Sequence, residues 1–212
     1  MPKLTDEQQA QRRKRILDAA EHCFALHGFH RSTMQLICKA AGISAGALYL
    51  YFPSKEALIE GLTERDREEI MVRFAESGRS QDFMGLIEGL LRGCILAQPP
   101  EKAIMCIEIG AEATRNPAIA ETMARFDHSI RGSIRMLLEH AVTAGSIAPV
   151  LPLDDIVMSL ALLGDGLFWR RAVDPTFDAE RALPNILSMV AALVRPVATA
   201  ASPVSEHTEP CR

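Results

Sequence analysis

Gly42 restricts what this chain can fold into more than any other residue, because of the two short runs it separates in STMQLICKAAGISAGALYLYFPSK, residues 32–55. Ser32 with Gln35 three residues on has the spacing of a capping box. Leu36, Ile37 and Ala40 then give an apolar face at helical spacing. Gly42 ends that helix, because glycine takes the left-handed conformation a sharp reversal needs. Ser44 caps a second helix, Ala45 to about Phe52, and Pro53 stops it. Two helices joined by a three- or four-residue turn containing glycine form a helix-turn-helix. Cys38 and Ala41 are small enough for two crossing helices to touch, and Ile43, Leu48 and Phe52 plug the core beneath.

The rest of the chain reads as helix. Thr5 and Gln8 form a second capping-box spacing after a frayed start at residues 1–4. Ile16, Ala19, Ala20, Cys23, Phe24 and His27 then recur at helical spacing up to Gly28. Ser54 caps a fourth helix to about Ser77, and residues 78–80 are a break. Helices follow over Asp82–Ala97, Lys102–Arg115, Pro117–Ala144 and Leu153–Ala172, with a last one ending near Val194. Asn116-Pro117 reads as an N-cap with proline in the first turn, and Asp174-Pro175 and Pro184 bracket the last turn. No strand-like alternation bounded by hairpin turns occurs. The expected fold class is therefore all-α, about nine helices. Residues 1–53 form a three-helix unit, residues 54–77 a linking helix, residues 78–195 a helical body and residues 196–212 a disordered tail.

With 48% apolar and 24% charged residues, the composition is that of an ordinary soluble globular chain. No apolar run reaches the length of a membrane span, the first fifteen residues are polar, and five cysteines lack any CxxC spacing. The expectation is a cytoplasmic protein with reduced thiols, no metal and no cofactor. The formal charge is −4, but residues 1–60 carry eight Lys/Arg against six Asp/Glu while the remainder carries fifteen against twenty-one. Only the N-terminal part suits a polyanion.

The segment ICKAAGISAGALYLYFPSKEAL resembles the DNA-binding signature of the tetracycline-repressor (TetR) family at Ile37, Ala41, Gly42, Ile43, Ser44, Gly46, Leu48, Tyr49, Phe52, Lys55, Glu56 and Leu58. It departs at Cys38, where the family generally has alanine. EIGAEATRNP and DGLFWRR resemble the ligand-domain subgroup that includes the betaine-pathway repressor. The resemblance implies a ligand-responsive regulator, most often a repressor, that binds a palindromic DNA operator as a homodimer and is released by a small-molecule effector. A constitutive DNA-binding regulator is the alternative. An enzyme is disfavoured, since no nucleophile elbow, P-loop, Rossmann glycines or metal set is present.

B-form DNA admits a helix into its major groove. Ser44 opens the recognition helix, and Ala45, Gly46, Tyr49 and Leu50 form its outward face. Small residues at 45 and 46 let the backbone approach base edges. Gln35 either reads adenine or completes the capping box with Ser32. Thr33, Tyr49, Tyr51 and Lys55 suit phosphate oxygens, and the resemblance assigns that role to Thr33, Tyr49 and Lys55. The alternative for Tyr51 is packing under the helix. Arg12, Arg13, Lys14 and Arg15 either contact phosphate or form a solvated face.

In the body, Met105, Glu108, Glu112, Phe126, Asp165 and Trp169 are candidates to line an effector pocket, with the carboxylates suited to a cationic or hydroxylated ligand. The alternative for them is salt bridging to Arg92, Arg115 or Arg135. Leu160, Gly164, Leu167, Ile186, Met189 and Leu193 form stripes on the last two helices. The resemblance implies that these pair with a symmetry mate, and the alternative is burial within one copy.

Overall fold

A computed structural model describes residues 5–77 and 82–197. The start at residues 1–4, the break at 78–80 and most of the expected tail, residues 198–212, lie outside them. Among the described residues there are nine α-helices and no strand: α1 Asp6–His27, α2 Met34–Ala41, α3 Ala45–Tyr51, α4 Lys55–Ser77, α5 Phe83–Leu91, α6 Pro100–Ala113, α7 Pro117–Thr143, α8 Leu153–Val173 and α9 Ala179–Val194. A π-helical turn, Arg92–Leu96, continues α5.

The local signals act largely as their chemistry requires. The Thr5 hydroxyl accepts from Gln8 N–H, and the Gln8 side chain accepts from Thr5 N–H, closing the capping box of α1. Gly42 is left-handed at φ 63°, and the next amide, Ile43 N–H, reaches back to Cys38 O. Ser44 accepts from Ala47 N–H and starts α3, which ends one residue before Phe52 takes an extended conformation ahead of Pro53. Pro184 does not bound the last helix. Asp178 caps α9 through Arg181 N–H, and the helix runs through Pro184.

The capping box at Ser32 is corrected. Thr33 is the N-cap of α2 and accepts from Leu36 N–H. Ser32 is fully buried, with its hydroxyl 2.9 Å from Cys23 O and 2.8 Å from Gly28 O, so it ties the turn back onto α1. A hydroxyl shielded from water has to find a partner, and the carbonyls at the end of α1 supply one.

Two apolar cores organise the molecule. The first joins Ile16, Leu17, Phe24, Ile37, Leu48, Phe52, Leu58 and Leu62 to Met105 and Ile109 of α6 and Ile119 of α7. The second joins Leu86, Leu90, Leu138, Ile156, Val190 and Val194. The cores therefore do not follow the expected boundaries. Helix α6 and the start of α7 lie in the body by sequence but pack into the helix-turn-helix unit. An ion network reinforces that junction. Lys102 of α6 contacts Glu21 of α1 at 3.0 Å and Asp66 of α4 at 2.8 Å, and Arg65 reaches Glu21 and Asp18. Burial pushes Glu21 up, but Lys102 and Arg65 outweigh it and hold its carboxyl below the ordinary range. In Asp66 burial wins and the pKa is raised.

At the far end, Pro196 bridges to Ile147 and Val197 N–H donates to Ser146 O at 2.8 Å, so the first two residues assigned to the tail are tied to the body.

Candidate DNA-binding surface

The caps decide which side chains of the helix-turn-helix face outward. Leu48 is buried and pins the inner side of α3. Ser44, Ala45, Gly46, Tyr49 and Leu50 are left exposed on one face. Nothing lies within 4 Å of a Cβ added at Gly46, so this face is open. Ser44 and Thr33 each use an oxygen lone pair for their cap, which leaves each hydroxyl proton free to donate. Gln35 is exposed on α2, and with Thr33 as the cap it is released from the capping role. Lys39, one helical turn beyond Gln35, is also exposed. It was not singled out in the sequence, although a cation four residues from Gln35 is a legible signal.

Two candidates depart from this surface. Tyr51 is half-buried and packs against the first core, which its place opposite Tyr49 on a short helix enforces. Lys55 begins α4 but is not free: its Nζ donates to Phe29 O at 2.8 Å and lies 4.1 Å from the centre of the Phe29 ring. An ammonium has three donors, so two remain for a phosphate. The basic cluster is partly structural as well. Arg15 donates to Ala41 O at 2.7 Å, Arg13 lies over Phe52 and Lys14 pairs with Asp18.

The six effector-pocket candidates are not brought together. Met105 is buried in the first core. Glu108 accepts from Phe29 N–H at 2.8 Å, and Glu112 lies 3.1 Å from His30 Nε2 and 3.5 Å from Arg115, so both carboxylates face the α1–α2 turn. Arg92 pairs with Glu88 and Glu180, and Arg135 with Glu139 and Asp154. Phe126 lines a cavity of about 260 Å³ between α4 and α7 with Glu60, Thr63, Arg67, Thr122, Arg125 and Ser129. Asp165 and Trp169 face outward on α8. Desolvation, then the charge of Asp127, raises the Asp165 pKa.

The register of α8 turns much of the stripe expected to pair toward the interior of the one chain. Leu167 is 4% exposed, Leu160 packs on the second core, and Gly164 faces Ile95. Outward instead are Met158, Leu162 at 62%, Trp169 at 54% and Val173, spaced four or seven residues apart. On α9, Met189 is exposed, Ile186 is half-buried and Leu193 packs partly on the second core. No helix among the described residues is long and apolar enough to cross a membrane.

Comparison with known proteins agrees with this architecture. Residues 16–62 match the model for bacterial regulatory proteins of the tetR family, and residues 86–195 match the C-terminal model of BetI-type transcriptional repressors. The chain is 33% identical over 138 residues to the HTH-type transcriptional regulator UidR of Escherichia coli, covering 65% of this chain and 69% of that one. It is 28% identical over 197 residues to the HTH-type transcriptional repressor Rv1474c of Mycobacterium tuberculosis, covering 92% and 99%. The solved structure of Salmonella enterica GusR superposes with a TM-score of 0.71 at 30% identity, covering 92% of this chain and all of that one. With both halves matched and the cap-defined recognition helix in place, this chain belongs to the TetR family of bacterial transcriptional regulators and is not an enzyme.

Proposed function

We propose that this protein is a cytoplasmic repressor that binds a palindromic operator as a homodimer through Thr33, Gln35, Ser44, Ala45, Gly46, Tyr49 and Lys55, and that a small-molecule effector releases it. The observation that carries the reading is the exposed α3 face, bare of side-chain bulk at residues 45 and 46 and flanked by hydroxyl and ammonium donors. Such a face suits close approach to base edges with phosphate contacts on either side.

One such head covers one half-site. The apolar stripe of Met158, Leu162, Trp169 and Val173 beside Met189 supports pairing through α8 and α9, because several large exposed apolar residues on one face favour burial against a partner. For the effector, the 260 Å³ cavity between α4 and α7 offers an entry, with Phe126 as an apolar wall and groups of both charges around it. Arg125 bridges this gap to Glu60 at 2.7 Å, and α4 carries the DNA-binding head, so a ligand that favours a wider gap between the two helices would move that head.

Selection of bound duplexes from random DNA tests the reading. The expected result is a near-palindrome whose half-sites lie about 10–10.5 bp apart or a multiple of that. Recovery of sequences without two-fold symmetry would refute the dimer, and no enrichment at all would refute operator recognition.

A further inference from the structure

Phe29 is held from two directions by groups that lie far apart in sequence. On one side, Glu108 of α6 accepts from its backbone N–H at 2.8 Å. On the other, its backbone carbonyl accepts from Lys55 at 2.8 Å, and the same ammonium lies against its ring. The approach of Glu108 is close enough that a Cβ on Gly28 would sit 2.8 Å from Glu108 Oε2. The side chain of Phe29 is buried against Phe24, so the residue between the two contacts is itself fixed. A second tie from the same helix, Glu112 to His30 at 3.1 Å, holds the next residue.

We infer that Glu108 is a positioning residue for DNA binding: by fixing the Phe29 backbone it sets where Lys55 presents its ammonium to a phosphate. The inference rests on Lys55 being a phosphate contact, as proposed above. Glu108 is an acid beside a surface meant for a polyanion, so on charge alone its removal strengthens DNA binding. A positioning role has the opposite sign. Loss of the Phe29 anchor lets the turn and the lysine move, so the ammonium no longer meets its phosphate and that contact is lost.

The test uses the full-length protein and a labelled duplex carrying the sequence that the unmodified protein selects from random DNA, titrated over a range of salt. Glu108→Ala is expected to weaken binding by roughly tenfold and to lower the slope of log K against log salt by about 0.9, the value of one phosphate contact. Glu108→Gln keeps an acceptor and is expected to bind like the unmodified protein. Glu108→Asp keeps the charge but shortens the reach, and is expected to weaken binding. These two variants carry the test if the alanine variant loses its helical circular dichroism. In a Lys55→Ala background, Glu108→Ala is expected to add nothing. Unchanged or tighter binding by Glu108→Ala and Glu108→Asp overturns the inference, as does an equal loss in the Lys55→Ala background. If Lys55→Ala itself leaves the salt slope unchanged, the reading of Lys55 as a phosphate contact fails and the inference fails with it. A drop for Lys55→Ala without one for Glu108→Ala leaves that reading standing and removes only the role of Glu108.

Discussion

Two glycines make opposite demands. Gly46 sits in α3 with open space around it, so alanine there fits the backbone and raises helix propensity. Gly46→Ala is expected to raise stability by up to about 1 kcal/mol in a denaturant titration. If α3 enters the groove at that point, the same change weakens operator binding. Gly28 has φ 77°, and a Cβ there would come within 2.8 Å of the Glu108 carboxylate that holds Phe29. Gly28→Ala is expected to cost about 1–3 kcal/mol. Both glycines are visible in the sequence. Their difference is not, because the second constraint on Gly28 comes from a residue 80 positions away.

Among the elements, α6 carries the junction between the two cores. Lys102 has a side chain only 12% exposed and serves two carboxylates from two other helices. Burial alone would lower its pKa, but Asp66 and Glu21 raise it overall. Lys102→Ala would leave Glu21 and Asp66 facing each other across α1 and α4, with Arg65 as the cation that still contacts both. The expected loss is about 3 kcal/mol by chemical denaturation, the scale for breaking a shielded pair at one end. A pH effect is expected at the α4 N-terminus. Glu56 titrates below its ordinary value of 4.5 because its own backbone N–H, then Ser54 and later Asn116, bond its carboxylate. A depressed folded pKa gives stability that is present above 4.5 and is lost as the pH falls through the folded value. Glu56→Gln is therefore expected to flatten the acid side of the stability curve below pH 4.5. A variant whose acid limb superposes on the unmodified protein would exclude that contribution.

At the scale of the whole molecule, the two faces of α8 allow the proposed association to be tested apart from folding. Leu162→Glu places a charge on the outward face, and light scattering is expected to show a shift to single copies with helical content and melting temperature nearly unchanged. Leu167→Ala empties a site in the interior and is expected to cost about 2–5 kcal/mol. If Leu162→Glu remained a dimer, the proposed face would be wrong.

How much of this was legible in the sequence differs by element. The helix-turn-helix was, down to the Gly42 reversal and the Ser44 cap, because a cap and its acceptor lie within three residues and their chemistry is local. The Ser32 and Thr33 assignment failed by one position, since both residues can cap and only the carbonyls of Cys23 and Gly28 take Ser32 out of that role. On α8, Leu160 and Leu167 are as apolar as Met158 and Leu162, so periodicity alone does not say which side of the helix faces in. The sequence by itself determined about nine helices and most of their caps, because those depend on contacts within one turn. Only the tertiary structure decided that Glu108 and Glu112 grip the α1–α2 turn and that α6 shares a core with the DNA-binding head. Such contacts join residues some 80 positions apart, and only the packing of whole helices brings them within hydrogen-bond reach.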